Sequence, residues 1–450
     1  MAFSTLPGSD SAATTFQGTE GADSIVILDL PNESTSFEAN GEAGDDFVAV
    51  QGSQNLSTIR GGQGNDLITQ NIVDGPQDFS SFWSAGLISG NQGDDVIGNN
   101  QYGVTAIAST INGGQGQDQL FIGSVQSTLL NGNMGDDLLT VDGNFGFVNI
   151  NGSSIWGGQG DDSIFVDSDY FGFDANVNNT NIGGNLGNDY ILVDIDGSFA
   201  GSVIEGGDGD DRIRAGDSDT GLPIFGGNGN DAISGGLGSD ELFGEEGNDR
   251  IFGDDGNDYI VGGNGADTLE GSFGTDTILG GDLNDIIVGG AGGDILSGGT
   301  GSNRFRYNSF DTADGWLVNV LSGGGGIYAL GVNLDPMSGG IDIITDWDAS
   351  AGTNIIANNA NLFDATTPLE SLDGGFGVAA ADFTAGQNFA IRGSFNQDLF
   401  TFTFSSNGSD VLIGVSEAQP VIPGEDGSVT RAVVLTDVSL TTTFSQANFV

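Results

Sequence analysis

The sequence predicts an all-β chain, wound as a right-handed parallel β-solenoid and closed by a β-rich C-terminal cap. Three observations point there. Glycine accounts for 80 of 450 residues and proline for 8, with no Gly-X-Y period, which excludes a collagen-like rod and a simple linker. A nine-residue unit repeats without insertion from Gly226 to Arg306, and a fixed short period marks solenoids. One position of that unit is always apolar, so stacked units would build a continuous core.

The elements follow in chain order. Residues 1–17 are an N-terminal extension. Their sequence has no basic n-region and no apolar h-region, so it does not read as a cleavable signal peptide, and export would need a route without one. Residues 18–225 carry one glycine–aspartate turn per coil, read at GTEGAD, GEAGDD, GGQGND, GNQGDD, GGQGQD, GNMGDD, GGQGDD, GNLGND and GGDGDD. The sixth-position acids are Asp23, Asp46, Asp66, Asp95, Asp118, Asp137, Asp162, Asp189 and Asp211, at intervals of 19 to 29 residues. A short alternating segment follows each turn, such as Ile164, Phe165 and Val166, and another usually precedes it, such as Ser154, Ile155 and Trp156. Each unit therefore reads as one wide coil of two strands, with a variable loop at the opposite bend.

Residues 226–306 are nine tandem nonapeptides. Their sixth positions hold Asp231, Asp240, Asp249, Asp258, Asp267, Asp276, Asp285 and Asp294. Their eighth positions hold Ile233, Leu242, Ile251, Ile260, Leu269, Ile278, Ile287, Leu296 and Phe305, expected to point inward. Leu283 stands where the third glycine belongs, and Asn303 replaces the last Asp and is expected to end the ladder. Glu245, Asp254 and Ser272 replace the second glycine. Residues 307–450 lose the period but keep alternating segments such as 399–404 and 433–435, which predict the β cap.

Charge narrows the function. There are 63 acidic residues against 8 basic ones, a formal charge of −55. Such an excess destabilises a compact chain unless counter-ions bind, and it excludes nucleic acid and anionic membrane surfaces as partners. No apolar run reaches the roughly 20 residues that span a bilayer. There is no Cys and no His, so any metal must be held by oxygen, which suits hard cations such as calcium. The same absence removes the H-E-x-x-H motif and any nucleophile–histidine pair. Carboxylates are so abundant that none stands out as a glycosidase pair, and the chain reads as no enzyme.

The turn has its own chemistry. Glycines at positions one, two and four permit φ > 0 and close approach, leaving carbonyl oxygens unobstructed. The Asp at position six adds a carboxylate. Neighbouring turns could then surround an ion with about six oxygens, which is calcium geometry. Carboxylates stacked at about 4.8 Å repel one another unless an ion lies between them. Roughly 15 such ions would supply about +30 of compensating charge.

These turns resemble the hemolysin-type calcium-binding repeats of the RTX (repeats-in-toxin) exoproteins, closely over 226–306 and more loosely over 18–225. The resemblance implies a parallel β-roll with several Ca2+ ions between successive turns. The ligands it implies are Asp66, Asp95, Asp118, Asp137, Asp162, Asp189, Asp211, Asp231, Asp240, Asp249, Asp258, Asp267, Asp276, Asp285 and Asp294. With them go the turn glycines Gly226, Gly229, Gly235, Gly238, Gly244, Gly247, Gly253, Gly256, Gly262 and Gly265. Residues 339–357 resemble the D-x-I-x-D-F-x-x-G segment that follows the repeats in that family, and residues 433–450 are similar to its uncleaved C-terminal signals. The implied partner is type I secretion machinery, and the implied location is extracellular or at the cell surface. In low cytosolic calcium the repeats would stay unfolded, and external calcium would fold them by mass action.

The repeats begin near Gly18, so no catalytic module is expected ahead of them. The chain is thus similar to bacterial, notably cyanobacterial, surface-layer and matrix RTX proteins. The expected function is a secreted calcium-binding structural protein that self-associates into a surface layer or filament. The alternative is a monomeric adhesin or matrix protein that binds glycans such as cell-surface polysaccharide, with a carbohydrate-active enzyme third. Aromatic residues in the wide-coil loops (Phe79, Phe82, Trp83; Phe145, Phe147; Tyr170, Phe171, Phe173) are either core of enlarged coils or an exposed stripe for subunit contact.

Overall fold

The computed structural model describes residues 14–27, 37–50, 54–55, 57–70, 82–98, 104–142, 149–167, 176–195, 197–216 and 221–307, and beyond these only strand residues of the C-terminal region. The chain is an all-β parallel solenoid, with no helix among the described residues. It divides into two units, Met1–Gly238 and Ser239–Val450.

In the first unit the strands stack in two parallel rows. Leu129–Met134, Ser154–Gln159, Asn181–Leu186 and Val203–Asp208 are successive members of one row. Leu138–Asp142, Ser163–Asp167, Tyr190–Asp194 and Arg212–Ala215 are their counterparts in the other. Register is fixed by the alternation of the sequence, because a slip of one residue would turn every apolar side chain outward. Ile155 lies between Leu130 and Ile182, and Ile164 between Leu139 and Ile191, all of them buried. Like side chains thus stack on like along the coil axis, and the β-branched ones fit the pleated, half-buried surface.

Two features differ from the two-strand coil read from sequence. Thr14–Gln17 is already a strand, paired with Phe37–Asn40, so the coils begin before the turn at Gly18. Several wide coils also hold a third short strand. Asn149–Asn151 and Asn176–Asn178 are two of these, paired to each other, and each leads into the bend opposite the glycine turn. Among the loop aromatics, Trp83 is a core residue, 2% exposed, on the strand Phe82–Ser84. The side chain of Phe82 and all of Phe79, Phe145, Phe147, Tyr170, Phe171 and Phe173 lie outside the described residues.

In the second unit the nonapeptides alternate between two rows, so one coil takes 18 residues. Glu241–Glu246, Tyr259–Asn264, Thr277–Asp282 and Ile295–Gly299 form one row. Arg250–Asp255, Thr268–Phe273, Ile286–Ala291 and Arg304–Tyr307 form the other. Every eighth-position residue from Ile233 to Phe305 is at most 1% exposed. Beyond the repeats, Asp342–Ile344 continues one row, pairing with Ile295–Leu296 and with Val433–Leu435. Ile355–Asn358 continues the other beside Arg304–Tyr307. Asn388–Asn396, Thr401–Phe404, Asp410–Glu417 and Ser428–Leu435 pair antiparallel. Residues 345–354, within the segment that resembles the motif following the repeats, and residues 436–450, within the segment similar to C-terminal signals, lie outside the described residues. Among the described residues no helix is long and apolar enough to cross a membrane.

Candidate metal-binding turns

The turn at 157–162, GGQGDD, shows the plan. Gly158 and Gly160 both have φ of 125°, where an L side chain is strained. Gly157 does not have positive φ, contrary to the expectation for position one. It is glycine for space: a Cβ there would collide with Oδ2 of Asp162. Position two accepts Asn91, Asn133 and Asn185 at φ 81°, alternating along the stack with Gly114 and Gly158. Asn is the side chain best tolerated in left-handed backbone. Glu245, Asp254 and Ser272 hold the same conformation at 75°, 71° and 78°. Leu283 holds it at 79° with its side chain exposed.

The Asp at position six folds back into the turn and is buried. Its Oδ1 accepts the backbone N–H of the equivalent Asp one coil earlier. In the first unit this ladder runs through every coil from Asp23 to Asp231: Asp46 donates to Asp66 (2.8 Å), Asp66 to Asp95 (2.7 Å), Asp95 to Asp118 (2.8 Å) and Asp118 to Asp137 (2.8 Å). Asp137 donates to Asp162, Asp162 to Asp189, Asp189 to Asp211 and Asp211 to Asp231, each at 2.7–2.8 Å. In the second unit there are two ladders, one at each bend. One runs Asp240, Asp258, Asp276, Asp294; the other runs Asp249, Asp267, Asp285, Asn303. Asn303 therefore keeps its place as acceptor, at 2.9 Å from the Asp285 nitrogen.

The second carboxylate oxygen is the chemically informative one. Oδ2 of Asp66, Asp95, Asp118, Asp137, Asp162, Asp189 and Asp211 is buried with no hydrogen-bond partner, as is Oδ2 of Asp258, Asp267, Asp276 and Asp285. Burial pushes these carboxyls up, to about 8 for Asp95, Asp162 and Asp276, and to about 7 for Asp137, Asp211 and Asp285. The ladder N–H opposes this, and stacked neighbours such as Asp189 beside Asp162 add to it. Around Gly113, Gly132, Gly253 and Gly262 a second oxygen approaches: the carbonyl of the position-one glycine of the next coil in the stack. An orphaned carboxylate oxygen and a carbonyl oxygen thus share the space over one glycine. This all-oxygen donor set fits a hard divalent cation. Among the described residues no three carboxylates converge on one point, so a cation would share carboxylate with carbonyl oxygens.

The glycines expected to take part fall into two kinds. Gly244, Gly253 and Gly262 lie at position one beneath Asp249, Asp258 and Asp267, and the carbonyl of Gly226 approaches Gly206. Gly235, also at position one, is buried. Gly229, Gly238, Gly247, Gly256 and Gly265, at position four, all have positive φ, from 111° to 159°.

Sequence reasoning missed two further ladders. At position five an exposed Asn or Asp side chain accepts the N–H of position five in the next coil, as Asn65 does from Asp94 (2.9 Å) and Asp94 from Gln117 (2.9 Å). It runs opposite in direction to the buried ladder, and its signal was the recurring Asn or Asp before the sixth-position acid. The other, at the opposite bend of the wide coils, is built from hydroxyls and is described below.

Comparison with known proteins agrees with this turn chemistry. The family model for the RTX calcium-binding nonapeptide repeat matches residues 51–69, 153–170 and 195–219, and in overlapping copies 225–311. No curated protein matches the sequence. Among solved structures, the chain is similar to the solution structure of the AlgE6R3 subunit from the Azotobacter vinelandii mannuronan C5-epimerase. The identity is 19% over 54% of this chain and 78% of that one, at a TM-score of 0.21, too slight a likeness to bear on function. Over these segments the chain carries RTX calcium-binding nonapeptide repeats.

Proposed function

We propose that this chain is an extracellular structural protein that folds on external calcium and assembles into a surface layer or filament. The observation that carries the reading is the column of buried carboxylates whose Oδ2 atoms have no hydrogen-bond partner. An ionised carboxylate left unpaired in an apolar interior costs several kcal/mol, and a stack of them adds mutual repulsion. When bound, calcium supplies positive charge and joins oxygens of adjacent coils. The residues that would hold it are the position-six acids, Asp66 to Asp294, through Oδ2, together with carbonyl oxygens of the turn glycines. Several ions per chain follow from the repetition of the site.

Millimolar external calcium suits weak repeated sites, while an ion-starved cytosol would leave the chain unfolded and exportable by type I machinery. Sedimentation of the full chain with and without millimolar calcium, with negative-stain imaging, tests assembly. Calcium-dependent sheets or filaments are the expected result, and a strictly monomeric folded chain would remove assembly from the reading.

A second reading, binding of a glycan, is favoured by one cluster on the outer face of the first unit. Phe165 and Tyr190 stack edge to face at 5.6 Å, and the Arg212 guanidinium lies 5.6 Å from the Tyr190 ring centre. Flat aromatic faces beside a guanidinium suit sugar rings that bear carboxylates. A glycan array with the calcium-loaded protein and its Tyr190→Ala variant would separate this reading from assembly.

A further inference from the structure

The bend opposite the glycine turn in the first unit repeats the hydrogen-bond plan of the aspartate ladder without its charge. A residue in left-handed backbone comes first: Ala108 (φ 49°), Ser127 (49°), Gly152 (60°), Asn179 (50°) or Gly201 (72°). Next comes a buried hydroxyl residue: Ser109, Thr128, Ser153, Thr180 or Ser202, none more than 4% exposed. Each hydroxyl oxygen faces the N–H of the equivalent residue one coil earlier. Thr128 N–H donates to Ser153 Oγ at 3.2 Å, and Thr180 N–H to Ser202 Oγ at 3.1 Å. Ser109 and Ser153 donate at longer range to Thr128 and Thr180 (3.4 and 3.5 Å).

The carbonyls follow the same plan at both bends. Ser154 N–H donates to Thr128 O at 2.9 Å, as Ser163 N–H donates to Asp137 O at 2.8 Å. Thr128 and Asp137 thus hold equivalent places at the two bends of one coil. What differs is the second half of the side chain. A carboxylate leaves Oδ2 orphaned, whereas a hydroxyl brings its own proton and donates it, Thr128 Oγ1 to Ala106 O at 3.1 Å and Ser202 Oγ to Val177 O at 2.9 Å. No hydroxyl of this ladder is left buried without a partner.

In the second unit, by contrast, the place before each repeat strand up to Ile295–Gly299 is acidic in both rows, with orphaned Oδ2 atoms at Asp258 and Asp276 at one bend and at Asp267 and Asp285 at the other. We infer that the coils of the first unit from Ser109 to Ser202 take calcium along one bend only, their other bend being closed by a neutral hydroxyl ladder that substitutes for the ion column, while the second unit takes calcium along both. The inference rests on the calcium reading of the aspartate turns and adds to it where the ions stop. It makes the wide coils a region that needs about half as many cations per coil, with one bend able to hold its register when calcium is scarce.

The test is made on the full chain in saturating calcium, reading bound ions by equilibrium dialysis with elemental analysis, and amide exchange by mass spectrometry. Thr128→Val with Thr180→Val removes two hydroxyl acceptors without altering charge. The inference expects bound calcium per chain equal to wild type, with exchange at the Ser109 and Ser153 amides about tenfold faster. Thr128→Ser with Thr180→Ser restores the acceptor and should return exchange to wild type, which separates a lost hydrogen bond from general misfolding. A fall in bound calcium in the valine variant, with the serine variant loaded normally, would overturn the inference and leave the calcium reading standing. Asp137→Asn with Asp162→Asn should lose bound ions. If it binds as many as wild type, the calcium reading fails and the inference goes with it.

Discussion

The backbone N–H of Asp137 donates to Oδ1 of Asp162, 25 residues further along the chain, at 2.8 Å. One oxygen of each acid is therefore structural, while the other is left over. That division makes the two oxygens separable by substitution. Asp162→Asn should keep the ladder and lose the cation, as Asn303 already keeps the ladder where the last Asp is missing. Asp162→Ala should lose both and leave the Asp137 amide unpaired, at a cost of about 1–3 kcal/mol. In calcium both variants should melt below wild type, alanine lower. In chelator the order of asparagine and wild type should invert, because asparagine removes a buried charge. Thermal melts in both buffers check this.

Gly157→Ala should destabilise by about 1–3 kcal/mol, since the new methyl meets Asp162 Oδ2 and the turn has no slack to give. Asn133→Gly at position two should stay within about 1 kcal/mol of wild type, because left-handed backbone is what that position requires and glycine supplies it. Equal effects at the two positions, measured by chemical denaturation in calcium, would contradict the distinct roles assigned to them.

Leu283→Gly should stabilise the second unit by about 1 kcal/mol. Leu283 is held at φ 79° with 59% of its surface exposed, so the side chain contributes little packing against the strain it imposes. A raised melting temperature in calcium is the expected result.

The ion-free protein should be more folded in mild acid than in mild base. The buried carboxyls have folded values raised to about 6 for Asp66 and to about 8 for Asp95 and Asp162, above the unfolded value near 4. A raised carboxyl stabilises the fold while protonated. That contribution is complete below about pH 4 and is lost as pH rises through about 6 to about 8. Circular dichroism in calcium-depleted buffer should therefore show more β structure at pH 5 than at pH 8.5. Because proton and cation compete for the same oxygen, the calcium midpoint should rise as pH falls.

Much of this architecture was legible in the sequence because a solenoid repeats its physics every coil. The eighth-position residues and the sixth-position acids stand in phase, and phase alone assigns inside from bend. Position one misled because three glycines in one motif invite one explanation. In the folded turn Gly158 serves backbone conformation whereas Gly157 serves the space under a carboxylate. The hydroxyl bend escaped because its spacing from the glycine turn varies with loop length, so Ser109, Thr128 and Ser153 share no period. They become a column only once the strands are in register.

The most direct test of the account is a calcium titration of the full chain at pH 8, followed by far-UV circular dichroism. The account predicts little β signal in chelator, a cooperative rise in the millimolar range, and reversal when chelator is returned. A full β spectrum in calcium-free buffer at that pH, unchanged on adding calcium, would contradict it: the buried carboxylates would then be tolerated without a cation, and the orphaned oxygens would have another explanation.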